Sequence, residues 1–152
     1  MLNAGVRSYG FWGMLACILA MPLSALALEP APVSIAETTH TLGQYIEYIE
    51  DVEGTYVFDV IRSEAFESKW EKSDRDVPSF GFTDSVYWFR LKLQYDEASR
   101  GDLALMIGYP HLDYVDVYVE QAPGEFSSSR MGDRLIFSQR EVDHRHFVLS
   151  LS

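Results

Sequence analysis

Cysteine is almost missing from this sequence. Cys17 is the single one among 152 residues, and it lies inside an N-terminal apolar run. If that run is removed on export, the remaining chain has no disulfide, no thiol nucleophile and no cysteine metal ligand. Acidic side chains are absent from Met1 to Ala27, while all 23 Asp and Glu follow. Basic side chains are scarce beyond that point. Beyond Ala27 no stretch approaches the roughly 20 consecutive apolar residues a membrane-spanning helix needs. G-x-S-x-G, H-E-x-x-H and the phosphate-binding glycine loop are all missing. Carboxylates are abundant, but abundance alone does not place an acid opposite a base. These absences exclude the common hydrolases and point away from catalysis. No internal repeat or low-complexity tract is present.

What stands at the N-terminus is an export signal. Arg7 supplies the positive start, Phe11 to Ala20 the apolar run, and Ala25-Leu26-Ala27 a small-x-small cleavage site. Pro22 and Ser24 break the run too early for a membrane anchor. Cleavage after Ala27 is expected, with residues 1–27 a signal peptide, 28–40 a linker or lead-in strand, and 41–152 one domain. The mature chain of 125 residues is long enough for a sizeable core. Setting Arg7 aside leaves 11 of the 12 Lys and Arg against 23 carboxylates, a formal charge of −12. Such a field repels phosphate backbones and anionic lipid, so nucleic acid is not an expected partner.

The lead-in holds Pro30, Pro32 and an apolar patch at Val33-Ser34-Ile35. Thr41 to Asp51 is ambiguous between a short helix and a strand, and Thr55 to Arg62 likewise, with a helical turn favoured at Val57 to Arg62. Ser63 to Ser79 reads as a long loop anchored by Phe66 and Trp70. Asp84 to Tyr95 then alternates as one strand. Tyr87, Phe89, Leu91, Leu93 and Tyr95 share one face; Val86, Trp88, Arg90, Lys92 and Gln94 share the other. A turn at Ser99 to Asp102 leads to a strand marked by Leu103, Leu105 and Ile107. Another strand spans His111 to Gln121, with Val115, Val117 and Val119 on one side and Leu112, Tyr114, Asp116 and Tyr118 on the other. A short strand Phe126 to Met131 and a last one, His144 to Leu151, complete the pattern. Short strands separated by Gly, Pro and Asp turns imply an all-β antiparallel sandwich.

Three blocks carry a resemblance: GFTDSVYWFRLKL, IGYPHLDYVDVYV and GDRLIFSQREVDHRHFVLSL. Together they resemble the second type of extracellular domain of bacterial 7TM-DISM receptors, over roughly Thr41 to Ser152. The resemblance implies a jelly-roll β-sandwich similar to carbohydrate-binding modules, with a short helix. It implies a periplasmic location ahead of seven membrane helices, and a cytoplasmic diguanylate cyclase or histidine kinase output. It also implies one or more further strands beyond Ser152. The chain is therefore expected to be the front end of a receptor, reaching the membrane only through a C-terminal module not in this sequence. An unclosed sheet edge would make it marginally stable. A cooperative thermal transition above about 60 °C would contradict that expectation.

Four side chains make the candidate ligand surface. Trp88 beside Arg90 on a sheet face suits a sugar or a carboxylate, because the ring stacks on C–H surfaces and the guanidinium forks onto oxygens. Tyr114 and Tyr118 would extend that surface from another strand. The alternative is a covered face, with Trp88 in a core and Arg90 paired to a carboxylate such as Asp113 or Asp116. His144 and His146 lie on one face of the last strand and form a second candidate; a metal there needs a third ligand such as His111 or Asp113, and no metal or other cofactor is expected. Gly132-Asp133 reads as a turn, and Gln139-Arg140-Glu141 as a turn with an Arg–carboxylate clamp. The expected partner is a small ligand such as a sugar or carboxylate. A periplasmic docking or homodimerisation domain without a small ligand is the alternative, and a secreted carbohydrate-binding accessory module the third.

Overall fold

The computed structural model describes residues 27–34, 37–95 and 103–151. The expected signal peptide, apart from Ala27, and the turn at Ser99 to Asp102 lie outside these residues, as does Ile35. The described chain is mostly strand, consistent with an all-β sandwich, but its sheets are small and unclosed, and no jelly-roll strand order is drawn by the pairings. No helix among the described residues is long and apolar enough to cross a membrane.

The first half is built on a three-stranded antiparallel sheet. Its middle strand β2 (Glu47–Asp51) pairs with β3 (Glu71–Lys72) on one side and β4 (Val86–Arg90) on the other, in the order β3-β2-β4. Alternation sets what each face of β2 carries. Glu47, Ile49 and Asp51 are buried, whereas Tyr48 and Glu50 face outward. The ambiguity over Thr41 to Asp51 thus resolves into a single helical turn, Gly43–Tyr45, followed by a strand. Gly43 is needed there because a Cβ would run into the backbone carbonyls of Arg75 and Asp76. The lead-in forms β1 (Pro30–Val33), which pairs in parallel with β5 (Lys92–Tyr95). Proline cannot donate to a ladder, which suits this two-stranded edge arrangement.

Two expectations need correcting here. Asp84 to Tyr95 is not one strand: it breaks at Leu91, because β4 pairs with β2 while β5 pairs with β1. Ser63 to Ser79 is not a plain loop either. It contains a 3₁₀ helix, Glu64–Lys69, and β3. The helix buries Phe66 against Ile49 and Ile61, with Tyr56, Trp70 and Trp88 packed around them. Ile61 comes from α1 (Phe58–Ile61), the helical turn expected from the sequence.

The second half follows the expected alternation, but the strands expected from His111 and from His144 begin only at Val115 and Phe147, so neither His144 nor His146 lies on a strand. A hairpin joins β7 (Val115–Ala122) to β8 (Glu125–Met131), and β6 (Ala104–Ile107) pairs antiparallel with β9 (Phe147–Ser150). Met131, Phe147 and Leu149 are buried, flanked by Val115, Val117, Val119, Ile107, Leu112 and Leu151. Phe147 is fully buried, a side chain whose transfer from water contributes about 1.5–3 kcal/mol. Gly132 sits at φ +154, where a Cβ would collide with the Asp113 carbonyl. Its absence lets the two turns meet: Asp133 N–H donates to the Leu112 carbonyl at 2.8 Å. The two halves touch through α1, since Phe58 stacks on Tyr118 with ring centres 4.0 Å apart and meets Phe126 edge-on at 4.9 Å.

Candidate functional site

Trp88 and Arg90 lie on the inner face of the β3-β2-β4 sheet. Cross-strand register puts Ile49 opposite Trp88 and Glu47 opposite Arg90. Trp88 packs on the core formed by Ile49, Ile61 and Phe66. Arg90 donates through Nε to Glu47 at 2.6 Å and through Nη1 to both oxygens of Glu67 at 2.8 Å. Its guanidinium also lies 4.5 Å from the Trp70 ring. The arginine is therefore held by two carboxylates and an aromatic from its own chain. Its partners are Glu47 and Glu67, not Asp113 or Asp116. Those two pair elsewhere, Asp116 with Arg130 and Asp113 with Arg134.

Asp51 closes the inner face. Burial pushes its carboxyl up, yet the N–H groups of Tyr56 and Thr55, at 2.8 and 3.1 Å, hold it below the usual carboxylate range. The Trp88 indole favours the charged form too, although its Nε1 lies outside hydrogen-bonding geometry. This carboxylate holds the turn between β2 and α1 through the Thr55 and Tyr56 N–H groups.

The other expected site residues stand apart from this pair. Tyr114 precedes β7 and lies near Arg130, and Tyr118 on β7 stacks against Phe58. Neither continues the Trp88–Arg90 surface by a ring contact. His144 and His146 have ring centres 5.3 Å apart. The His146 N–H donates to His144 Nδ1 at 3.1 Å, and Arg145 Nε donates to His146 Nε2 at 3.0 Å. An arginine can only donate, so the neutral His146 ring carries its proton on Nδ1, which is buried without a partner. Desolvation, then the charges of Arg145 and His144, lowers the His146 pKa. No group of three metal-ligating side chains occurs among the described residues. The Arg–carboxylate clamp expected around Arg140 is instead a clamp on backbone: Arg140 donates to the carbonyls of His144 and Arg145, while Glu141 accepts from Ser150 N–H.

The outer face of the same sheet carries what the sequence reading missed. Tyr48 lies directly opposite Phe89, and Glu50 opposite Tyr87. Phe80 comes in from the preceding loop, stacking on Tyr87 at 4.1 Å and tilted against Tyr48 at 4.9 Å. Phe89 lies 5.9 Å from Phe80 and 6.4 Å from Tyr87, and it is 50 % exposed. The rim is polar. Tyr48 donates to Glu71 and Tyr87 donates to Glu50, each at 2.9 Å. The hydrogen bond to Glu71, then burial, raises the Tyr48 pKa; burial, then the bond to Glu50, raises that of Tyr87. Both hydroxyls stay donors at neutral pH. Phe80 lies over Tyr87, so Phe89 presents the most open ring; that ring, with the two hydroxyls and two carboxylates near it, can stack on a flat C–H surface and bind its hydroxyl or amine groups. The signal for this face was the Glu-Tyr-Ile-Glu-Asp run of 47–51. Read as a strand, it puts Tyr48 and Glu50 on the side opposite Ile49.

A family model described as 7TMR-DISM extracellular 2 matches residues 43–152. No curated protein and no solved structure matches the chain.

Proposed function

We propose a sensory function from a plain premise: the chain belongs to the 7TMR-DISM extracellular 2 family. It acts as the periplasmic ligand-sensing part of a membrane receptor, exported by its cleaved leader, and is not itself a catalyst. Its ligand is a carbohydrate, and the carbohydrate lies on the outer platform of Tyr48, Phe80, Tyr87 and Phe89. The observation that carries this reading is the half-exposed Phe89 ring beside hydroxyls and carboxylates aimed along the same sheet face. Contiguous exposed apolar surface with a polar rim marks a binding site. Trp88 and Arg90, with Glu67, would serve as the support beneath it. A carboxylate ligand at Arg90 would first have to displace Glu67.

Signalling follows from differential binding. A ligand that prefers one of two states of the sheet shifts their populations by its ratio of affinities. The Phe58–Tyr118 stack between the two halves is the joint through which such a shift would pass.

Titration calorimetry of the chain against a panel of sugars and small carboxylic acids tests this. Binding of a sugar, weakened about fivefold by Phe89→Ala, is the expected result, since one aromatic contact is worth about 0.5–1.5 kcal/mol. Failure of every sugar to bind, with the chain folded, would overturn it. The second reading, a docking or dimerisation domain, draws on the exposed Ile136 and Phe137 at 66 % and 49 %. A concentration-dependent dimer in sedimentation, abolished by Ile136→Ser with Phe137→Ser, would favour it.

A further inference from the structure

The rim of the platform has a sign, and from it we infer which sugars it prefers: those carrying a protonated amine. The inference rests on the platform being the ligand surface and names the class of ligand it selects. Glu71 lies opposite Tyr48 on β3, and Glu50 opposite Tyr87. A carboxylate has about four acceptor positions, and each of these is engaged by one tyrosine hydroxyl at 2.9 Å. The rest remain for a donor on the ligand. Asp74 adds a third carboxylate whose charge reaches Tyr48. The opposing cation there is Arg75, which is 3.8 Å from Asp74 and donates to the Ser79 carbonyl at 3.0 Å. Three carboxylates against one engaged guanidinium leave the rim negative.

The rings point to the same preference. Aromatic faces attract a cation through their quadrupole as well as stacking on C–H surfaces. At longer range, a chain with formal charge −11 concentrates cations and repels anions. A ligand offering both a flat C–H face and an ammonium group satisfies the rings and the rim together. A neutral sugar satisfies only the rings. A uronic acid meets like charge, and N-acetylation of the amine removes the attraction.

The test is titration of the intact chain with glucosamine, glucose, N-acetylglucosamine, glucuronate and tetramethylammonium, each at low and at 0.3 M salt. Glucosamine is expected to bind about fivefold more tightly than glucose, the gain of about 1 kcal/mol from one partly exposed ion pair. That advantage should shrink at high salt and vanish in Glu50→Gln/Glu71→Gln. The salt series uses the unaltered protein, so it decides even where the double variant folds poorly. Equal binding of glucose and glucosamine would overturn the amine preference and leave the sugar platform standing. Tightest binding of glucuronate would overturn it too. Tetramethylammonium binding as tightly as glucosamine would show a cation site that ignores the sugar ring. If no compound binds, the platform itself is refuted.

Discussion

Strands β2 and β4 present two faces made from alternate residues of the same ten positions. Inward lie Glu47, Asp51 and Arg90, charged groups whose partners all come from the chain. Outward lie Tyr48, Tyr87 and Phe89, large rings of which Phe89 remains half uncovered. The inner face thus sets charge beside the Ile49 and Trp88 core, while the outer face sets large rings beside Glu50. Charge inside is tolerable because each group is paired or hydrogen-bonded, as buried polar groups must be. Apolar surface outside has no such internal remedy. It stays exposed at a free-energy cost or meets another molecule. The difference separates residues that hold the domain together from residues free to recognise something.

Substitutions on the two faces should therefore differ in kind. The largest effect is expected for Arg90→Ala. It strands Glu47, whose side chain is 11 % exposed, without its cation, and breaking a buried pair costs about 3–5 kcal/mol. Urea denaturation should show a lower midpoint, and Glu47→Gln added to Arg90→Ala should restore part of it. An unchanged midpoint would mean that the inner ion pair supports nothing. Next comes Asp51→Ala, which frees the N–H groups of Thr55 and Tyr56 and should cost about 1–3 kcal/mol.

Acid should weaken the domain in two steps, one at His146 beside β9 and one at Asp51 on the inner face. His146 has a lowered pKa when folded, so the unfolded chain takes up its proton first, and stability falls as pH drops below the ordinary histidine range. Asp51 also has a lowered pKa. Its contribution is present above the ordinary carboxylate range and is lost as pH falls through the folded value. Thermal melts from pH 7.5 to pH 3 should show both declines; His146→Gln should remove the first and leave the second. The smallest stability effect belongs to the outer face. Phe89→Ser, at a ring already half exposed, should lower the stability read from urea unfolding by about 1 kcal/mol, while weakening sugar binding severalfold.

Much of the architecture was legible in the sequence. Val115, Val117, Val119, Phe147 and Leu149 alternate in the sequence and turn the same way in the structure, because a hairpin with one buried face imposes period two. The helical turn at α1 was legible as well. The use of each face was not, because alternation reveals that two faces exist but not which one is covered. For Trp88 and Arg90 it left both a ligand surface and a covered face open, and in the structure that side is covered. The Glu64–Lys69 helix and α1 pack over the Trp88 side, and their own signals were weak: one is a short 3₁₀ segment within a charged stretch, the other a single turn. The partners of Arg90 were also hidden, since Glu47 and Glu67 lie 43 and 23 residues away in sequence. Gly132 was visible as a turn, whereas its close approach to Asp113 depends on two segments meeting in space.

The assignment of recognition to the outer face is tested most directly by aromatic NMR of the labelled chain during titration with neutral and amino sugars. Saturable shifts of the Tyr48, Tyr87 and Phe89 ring signals, with the Trp70 and Trp88 indoles nearly still, are predicted. Shifts confined to the Trp70 and Trp88 indoles, with the outer rings unmoved, would contradict it.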